Sequence, residues 1–236
     1  MNHSNKYIFI YSTVLVVVVA ALLSLTATVL KPYQDKNKEI EKKQDILKSV
    51  GVIADVKSAE EEYDRYITDA FVIKDSKPTD GNAFTANLKA ETSKLVAERV
   101  LPVYKAQKGD SVFIIMPLYG KGLWGPVWGY ISVLEELTDS VKLYNTVYGA
   151  TFDHAGETPG LGAEINTNAF QSQFKGKKIF DKTGTFVSVT ILKATVTTNN
   201  PHAVDAISGG TITSNGVSEM IYDCLEGYQL YLKSLN

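Results

Sequence analysis

SVFIIMPLYGKGLWGPVWGYISVLE, residues 111–135, decides how this chain folds. Two runs rich in β-branched and aromatic residues, SVFIIMP at 111–117 and VWGYISVLE at 127–135, flank a glycine-rich loop, and each reads as a strand. SVKLYNTVYG at 140–149 and TFVSVTILKATV at 185–196 have the same composition and are bounded by turn formers. A helix is expected at 215–232, where Val217, Met220, Ile221, Cys224, Leu225 and Tyr228 recur at steps of three and four on one apolar face. Strands and helices do not alternate regularly. The fold class is therefore α+β, a largely antiparallel sheet with flanking helices, and not a doubly wound parallel sheet.

Upstream, YIFIYSTVLVVVVAALLSLTATVL at 7–30 carries no charge. Roughly 20 predominantly apolar residues span a bilayer, so one transmembrane helix is expected here. The run exceeds the 7–15 residues of a signal-peptide core and no A-x-A site follows, which favours a retained anchor. Tyr7, Tyr11 and Tyr33 lie where interfacial aromatics belong. A short tail, 1–6, precedes the span. A juxtamembrane helix, 31–50, follows it, with Gly51 as the stop signal, and 51–236 is expected to be the soluble domain. SAEEEYDRYITD at 58–69 reads as a further helix with Ser58 as N-cap, and DSKPTDGN at 75–82 as a loop. There is no internal repeat and no low-complexity tract. Lys31, Lys36, Lys38, Lys42 and Lys43 after the span, against Lys6 before it, would by the positive-inside rule place the soluble domain in the cytoplasm.

Charge is nearly balanced, 24 Lys+Arg against 26 Asp+Glu, so nucleic acid is not an expected partner. A single cysteine, Cys224, excludes a disulfide framework and a cysteine-rich metal or iron–sulfur site within the chain. His3, His154 and His202 are scattered without metal-ligand spacing. His154 has no obvious partner and reads as structural or solvent-exposed.

Three stretches could carry chemistry. The first is DAISGGTITS, 205–214, just before the last helix. Its structural reading is a turn made by Gly209 and Gly210, with Thr213, Ser214 or Asn215 capping the helix. Its functional reading is an attachment point. The glycines let a bulky group or an external enzyme reach the Thr211 hydroxyl, and a phosphate there would meet the free N–H groups and the dipole of the helix start. The second, PLYGKGLWGPVWGY at 117–130, is either a structural turn or a ligand platform in which Gly122 permits close approach and Leu123 and Trp124 offer apolar faces. Trp128 reads as core. The third, DHAGETPGLGAEI at 153–165, is either a loop in which Thr158 caps a helix opened by Pro159, or a pocket wall with a Thr158 hydroxyl and a Leu161 contact. No nucleophilic triad can be built from them.

Taken together, Asp205 to Thr211 (D-A-I-S-G-G-T), Gly120 to Trp124 (G-K-G-L-W) and 157–162 (E-T-P-G-L-G) resemble an FMN-binding domain family, the C subunit of the sodium-translocating NADH:quinone oxidoreductase, to which the G subunit of the Rnf electron-transport complex is related. The likeness covers nearly the whole chain, including the single N-terminal span and the Gln34, Asn37, Lys43 and Gln44 of the helix after it. Gly210 stands where the family usually has Ala.

The resemblance implies an electron-carrying flavoprotein subunit of a membrane complex that passes electrons from NADH to ubiquinone and moves sodium. FMN would be joined through its phosphate to Thr211. Ser208, Gly209, Gly210 and Thr213 would sit at the phosphate or its nearby backbone, and Gly122, Leu123, Trp124, Thr158 and Leu161 at the isoalloxazine ring. It also implies partners: the other membrane subunits, the lipid bilayer, and a periplasmic flavin transferase that takes FMN from FAD and releases AMP. It places the soluble domain on the periplasmic side of the bacterial inner membrane, against the lysine count, and that placement is preferred because a few lysines only bias a single-pass topology. Two other readings remain: an Rnf-type subunit working with ferredoxin:NAD chemistry, and a membrane-anchored binding protein without a redox role. The uninterrupted span and LWGPVW favour the NADH:quinone complex.

Overall fold

A computed structural model describes residues 4–138, 141–193 and 199–235. The chain divides into two compact units, Met1–Lys42 and Lys43–Asn236. The first consists of most of helix α1, Asn5–Ser49, whose most apolar 18-residue window has a mean hydropathy of 2.7 with none of it buried, long and apolar enough to cross a membrane. At 1.5 Å per residue, 7–30 extends for about 36 Å, against roughly 30 Å of bilayer hydrocarbon. The helix expected at 31–50 is continuous with the apolar segment: α1 runs unbroken through Pro32, where one backbone hydrogen bond is forfeited without ending the helix. It does stop where Gly51 takes the left-handed conformation, φ +70°.

The second unit is the α+β domain. It takes in residues 43–50 as well as the expected 51–236, because Ile46, Leu47 and Val50 are fully buried in it. The elements are α2 Ala59–Tyr66, β1 Ile67–Lys74, β2 Lys77–Thr79, α3 Leu88–Thr92, β3 Leu101–Lys108, β4 Ser111–Lys121, β5 Pro126–Thr138, β6 Val141–His154, α4 Asn168–Gln171, β7 Thr190–Leu192, β8 Ala203–Asp205 and α5 Thr211–Ser234. Six strands form one antiparallel sheet in the order β2-β1-β3-β4-β5-β6, and β7 and β8 form a small parallel pair.

Both faces of the sheet are covered, which explains the unbroken apolar run of β4. Ile114, Met116 and Leu118 point to the side where Val217, Met220, Ile221, Cys224, Leu225 and Tyr228 of α5 pack. Phe113 and Ile115 point to the other, against Ile46, Leu47 and Val50. The apolar face expected for the last helix is therefore its buried face.

Several expectations are corrected. The helix expected at 58–69 ends at Tyr66, because Ile67 already pairs with Ala106 of β3. Ser58 makes no side-chain cap. Asp55 instead orders the turn before the helix, its Oδ1 accepting from the N–H groups of Lys57 and Ser58 and from the Ser58 hydroxyl. The loop expected at 75–82 contains β2, joined to β1 through Asp75 and Ser76 at φ 48° and 63°, the left-handed values of a two-residue hairpin turn. The strand expected at 185–196 shrinks to Thr190–Leu192; its residues 194–196 lie outside the described residues, as does residue 140 of the strand expected at 140–149. Strands β1, β3 and β8 were not expected. The last helix begins four residues earlier than expected, at Thr211, so Thr213, Ser214 and Asn215 lie inside it and none is its cap.

Burial gives the domain an alkaline limit. It raises the Cys224 thiol from 9.0 to about 11 and the phenols of Tyr63 and Tyr231 from 10.0 to about 12. Tyr104, Tyr130 and Tyr228 move in the same direction for the same reason. These acids are neutral when folded and ionise first in the unfolded chain. Their contribution is whole below the unfolded values and is lost as pH rises through the folded ones. Urea midpoints are expected to be flat to about pH 8 and to fall between about pH 9 and 12, read by circular dichroism.

Candidate functional site

The three motifs converge although 33 to 56 residues of chain separate their contacting positions. The first is the turn between β4 and β5, closed by the Gly122 N–H donating to the Gly125 carbonyl at 2.8 Å. The second follows β6: the Thr158 carbonyl accepts from the N–H groups of Leu161 and Ala163, each at 3.1 Å, and leads into a 3-10 turn, Gly162–Asn166. Thr158 is thus a turn acceptor and not the expected helix N-cap, because the chain turns at Pro159 and Gly160 (φ +74°) before any helix begins. The third is the entry to α5. There Gly209 is left-handed at φ +75° and the Ile207 N–H donates to the Ser214 hydroxyl at 3.2 Å.

Together they enclose a cavity of about 370 Å³, lined by Leu123 and Trp124, by Glu157, Thr158, Leu161 and Gly162, and by the backbone and side chains of 209–213. That volume falls within the roughly 300–1,000 Å³ of small-molecule sites. Leu123, Leu161, Ile212 and Trp124, the last 69% exposed, give it an apolar rim. Gly209 keeps it open, since a Cβ there would come within 2.6 Å of Leu161 Cδ2. Thr211 is exposed at the first position of α5, and the first intrahelical bond is Ser214 N–H to Gly210 O at 2.8 Å. The amides of Thr211, Ile212 and Thr213 precede that bond, the arrangement in which a helix start receives an anion. A planar, mostly apolar ring bearing a phosphate fits this combination. A larger cavity of about 510 Å³, lined among others by Tyr119, Lys121, Glu219 and Asp223, contains neither Thr211 nor the apolar rim.

Of the residues expected at the site, Leu123, Trp124, Thr158, Leu161, Gly209, Gly210, Thr211 and Thr213 line the cavity. Ser208 is exposed but does not line it. Gly122 lies behind the lining, where a Cβ would come within 2.5 Å of Glu157 Oε1. The Thr213 hydroxyl is buried and donates to Glu157 Oε2 at 2.6 Å. At Gly210, an alanine would bring a Cβ within 3.1 Å of Ile207 Cγ2 and 3.3 Å of the Gly162 nitrogen, a tight fit met by shifts of a few tenths of an ångström. His154 does have a partner, its Nδ1 accepting from the Glu157 N–H at 3.2 Å. Glu157, Gly162 and Ile212 were not among the expected site residues. Glu157 carried a signal, an acid directly before a Thr-Pro turn, but its burial is invisible in sequence.

The stretch that holds the second half of this sheet, the cavity and most of the terminal helix, residues 122–226, matches the family described as FMN-binding domain. The C subunit of the Na(+)-translocating NADH-quinone reductase from Vibrio vulnificus is 33% identical over 218 residues, covering 85% of this chain and 82% of its own. The Haemophilus ducreyi counterpart is 31% identical over 214 residues, covering 83% and 80%. The crystal structure of the same subunit from Parabacteroides distasonis superposes with a TM-score of 0.76 at 43% identity, covering 88% of this chain and 98% of that one. The chain belongs to the family formed by the C subunits of Na(+)-translocating NADH-quinone reductases.

Proposed function

We propose that this chain is the flavin-bearing, electron-carrying subunit of a sodium-translocating NADH:quinone reductase, with FMN esterified through its phosphate to Thr211. The observation that carries the reading is the exposed Thr211 hydroxyl at the first turn of α5, opening on a cavity rimmed by Leu123, Trp124, Leu161 and Ile212. The FMN-binding domain match and the relatives from the NADH-quinone reductase support it, and favour that complex over Rnf and over a non-redox anchor protein. When bound, FMN supplies one-electron transfer between redox centres of neighbouring subunits. Leu123, Trp124 and Leu161 would hold its ring by apolar contact. The amides of 211–213 would receive its phosphate, and Thr158 and the glycines 209 and 210 line the same cavity.

Attachment is a phosphoryl transfer. The Thr211 oxygen bonds to the FMN phosphorus of FAD, the pyrophosphate P–O bond breaks, AMP leaves, and the hydroxyl proton passes to solvent. The catalyst is a flavin transferase on the periplasmic side, where we place the domain, with α1 anchoring it in the inner membrane beside the other subunits. Peptide mapping by mass spectrometry of protein from its native membrane tests this. One FMN on the peptide containing Thr211 is expected; a bare Thr211 in active complex would overturn the assignment.

A further inference from the structure

We propose that Glu157 is the positioning residue of this site: its carboxylate fastens the Trp124 loop to the first turn of α5, and its charge opposes reduction of the flavin held between them. This rests on the flavin reading above. Glu157 is 4% exposed and forms part of the cavity wall. Its Oε1 accepts from the Trp124 N–H at 2.9 Å and its Oε2 from the Thr213 hydroxyl at 2.6 Å. Its own N–H is held by His154 Nδ1. Two glycines leave room for the carboxylate, since a Cβ on Gly122 or Gly162 would come within 2.5 Å of one of its oxygens. One side chain thus joins all three motifs and fixes the spacing between the indole that meets the ring and the helix start that meets the phosphate.

As a carboxylate, Glu157 accepts from both partners. Among the described residues no cation forms an ion pair with it. An unneutralised negative charge in a partly dry wall acts strongly on a neighbouring ring. An electron arriving from a neighbouring redox centre adds negative charge to that ring, so the carboxylate disfavours its arrival and lowers the potential.

Strut and charge are separable. In Glu157→Gln the amide oxygen can still accept from Trp124 and the amide N–H₂ can donate to the Thr213 oxygen, so the geometry is kept and the charge removed. In Glu157→Ala both are lost. Backbone hydrogen exchange on the flavin-free full chain in detergent should show the Trp124 amide exchanging roughly tenfold faster or more in Glu157→Ala, and near its wild-type rate in Glu157→Gln. Spectroelectrochemistry of flavin-loaded Glu157→Gln should show the one-electron equilibrium shifted about tenfold toward reduction, about 59 mV upward. Unchanged exchange in Glu157→Ala overturns the strut, and an unchanged potential in Glu157→Gln overturns the charge role. Should Glu157→Ala not fold, Glu157→Met, which fills the space without accepting either bond, takes its place, and unchanged Trp124 exchange there overturns the strut. A wild-type chain without covalent flavin contradicts the proposed function and the charge role, while the exchange result on flavin-free chain still decides the strut.

Discussion

Thr211→Ala is expected to abolish covalent flavin altogether while leaving the domain folded. Thr211 is exposed at the first position of α5, where alanine is a good helix former, so the substitution removes an oxygen and little packing. Neighbouring hydroxyls do not substitute for it. Thr213 is 1% exposed with its oxygen committed to Glu157, and Ser214 is fully buried with its oxygen accepting from Ile207 N–H. Ser208 is exposed but stands outside the cavity, before the helix start. Denaturing gels of chain co-expressed with a flavin transferase should show fluorescence in wild type and in Ser208→Ala, and none in Thr211→Ala. A fluorescent Thr211→Ala band would place the linkage elsewhere.

The second large effect is expected at Gly216, in the interior of α5. Alanine there would ordinarily gain up to about 1 kcal/mol of helix propensity. Its Cβ, however, would lie 2.2 Å from the Lys121 carbonyl oxygen, a backbone atom that cannot rotate away. Either α5 or the loop carrying Gly122 and Trp124 must move, and overpacking of this kind costs roughly 1–3 kcal/mol. Steric strain wins over propensity. At roughly 2–4 °C per kcal/mol for a domain of this size, Gly216→Ala should lower Tm by several degrees. It should also weaken flavin loading, because the displaced loop is the cavity wall. Gly227→Ala on the same helix is the control: its Cβ would meet no backbone atom closely, its one tight contact being the Leu101 Cδ1 methyl at 2.5 Å, which can yield by rotation, so a much smaller change is expected. Thermal unfolding of the full chain in detergent reads both. Equal Tm values for the two variants would show that α5 is not held against the Lys121 backbone as described.

Legibility followed how local each signal was. The paired strands around 118–126 were visible because apolar runs bounded by glycines need no distant partner to be read, and β4 and β5 prove only longer than expected. The α5 face was visible because its period of three and four is a property of the helix itself. Strand β3, LPVYKAQK, was missed: it carries a proline at its second position and owes its burial to β1 and β4 on either side. The run at 185–196 misled in the opposite direction. Among its described residues, only Thr190–Leu192 form a strand, against β8, beside an isolated bridge from Phe186 to Phe180. The start of α5 was set four residues late because Thr, Ser and Asn at 213–215 look like caps; in the fold the hydroxyls at 213 and 214 are drawn to Glu157 and Ile207, and the helix begins at Thr211 with Gly210 in the cap position.

Residue types and spacings alone determined the membrane-length apolar helix, the α+β class, the amphipathic terminal helix and the three glycine-bearing motifs, because each depends on neighbours within a few positions along the chain. Only the tertiary structure decided that the three motifs share one cavity, that Thr211 is exposed while Thr213 is buried, and that a buried acid, Glu157, ties the walls together. Those outcomes depend on which distant segments the sheet and α5 bring within hydrogen-bond reach. A carboxylate accepting one bond from 33 residues upstream and another from 56 residues downstream leaves no local trace.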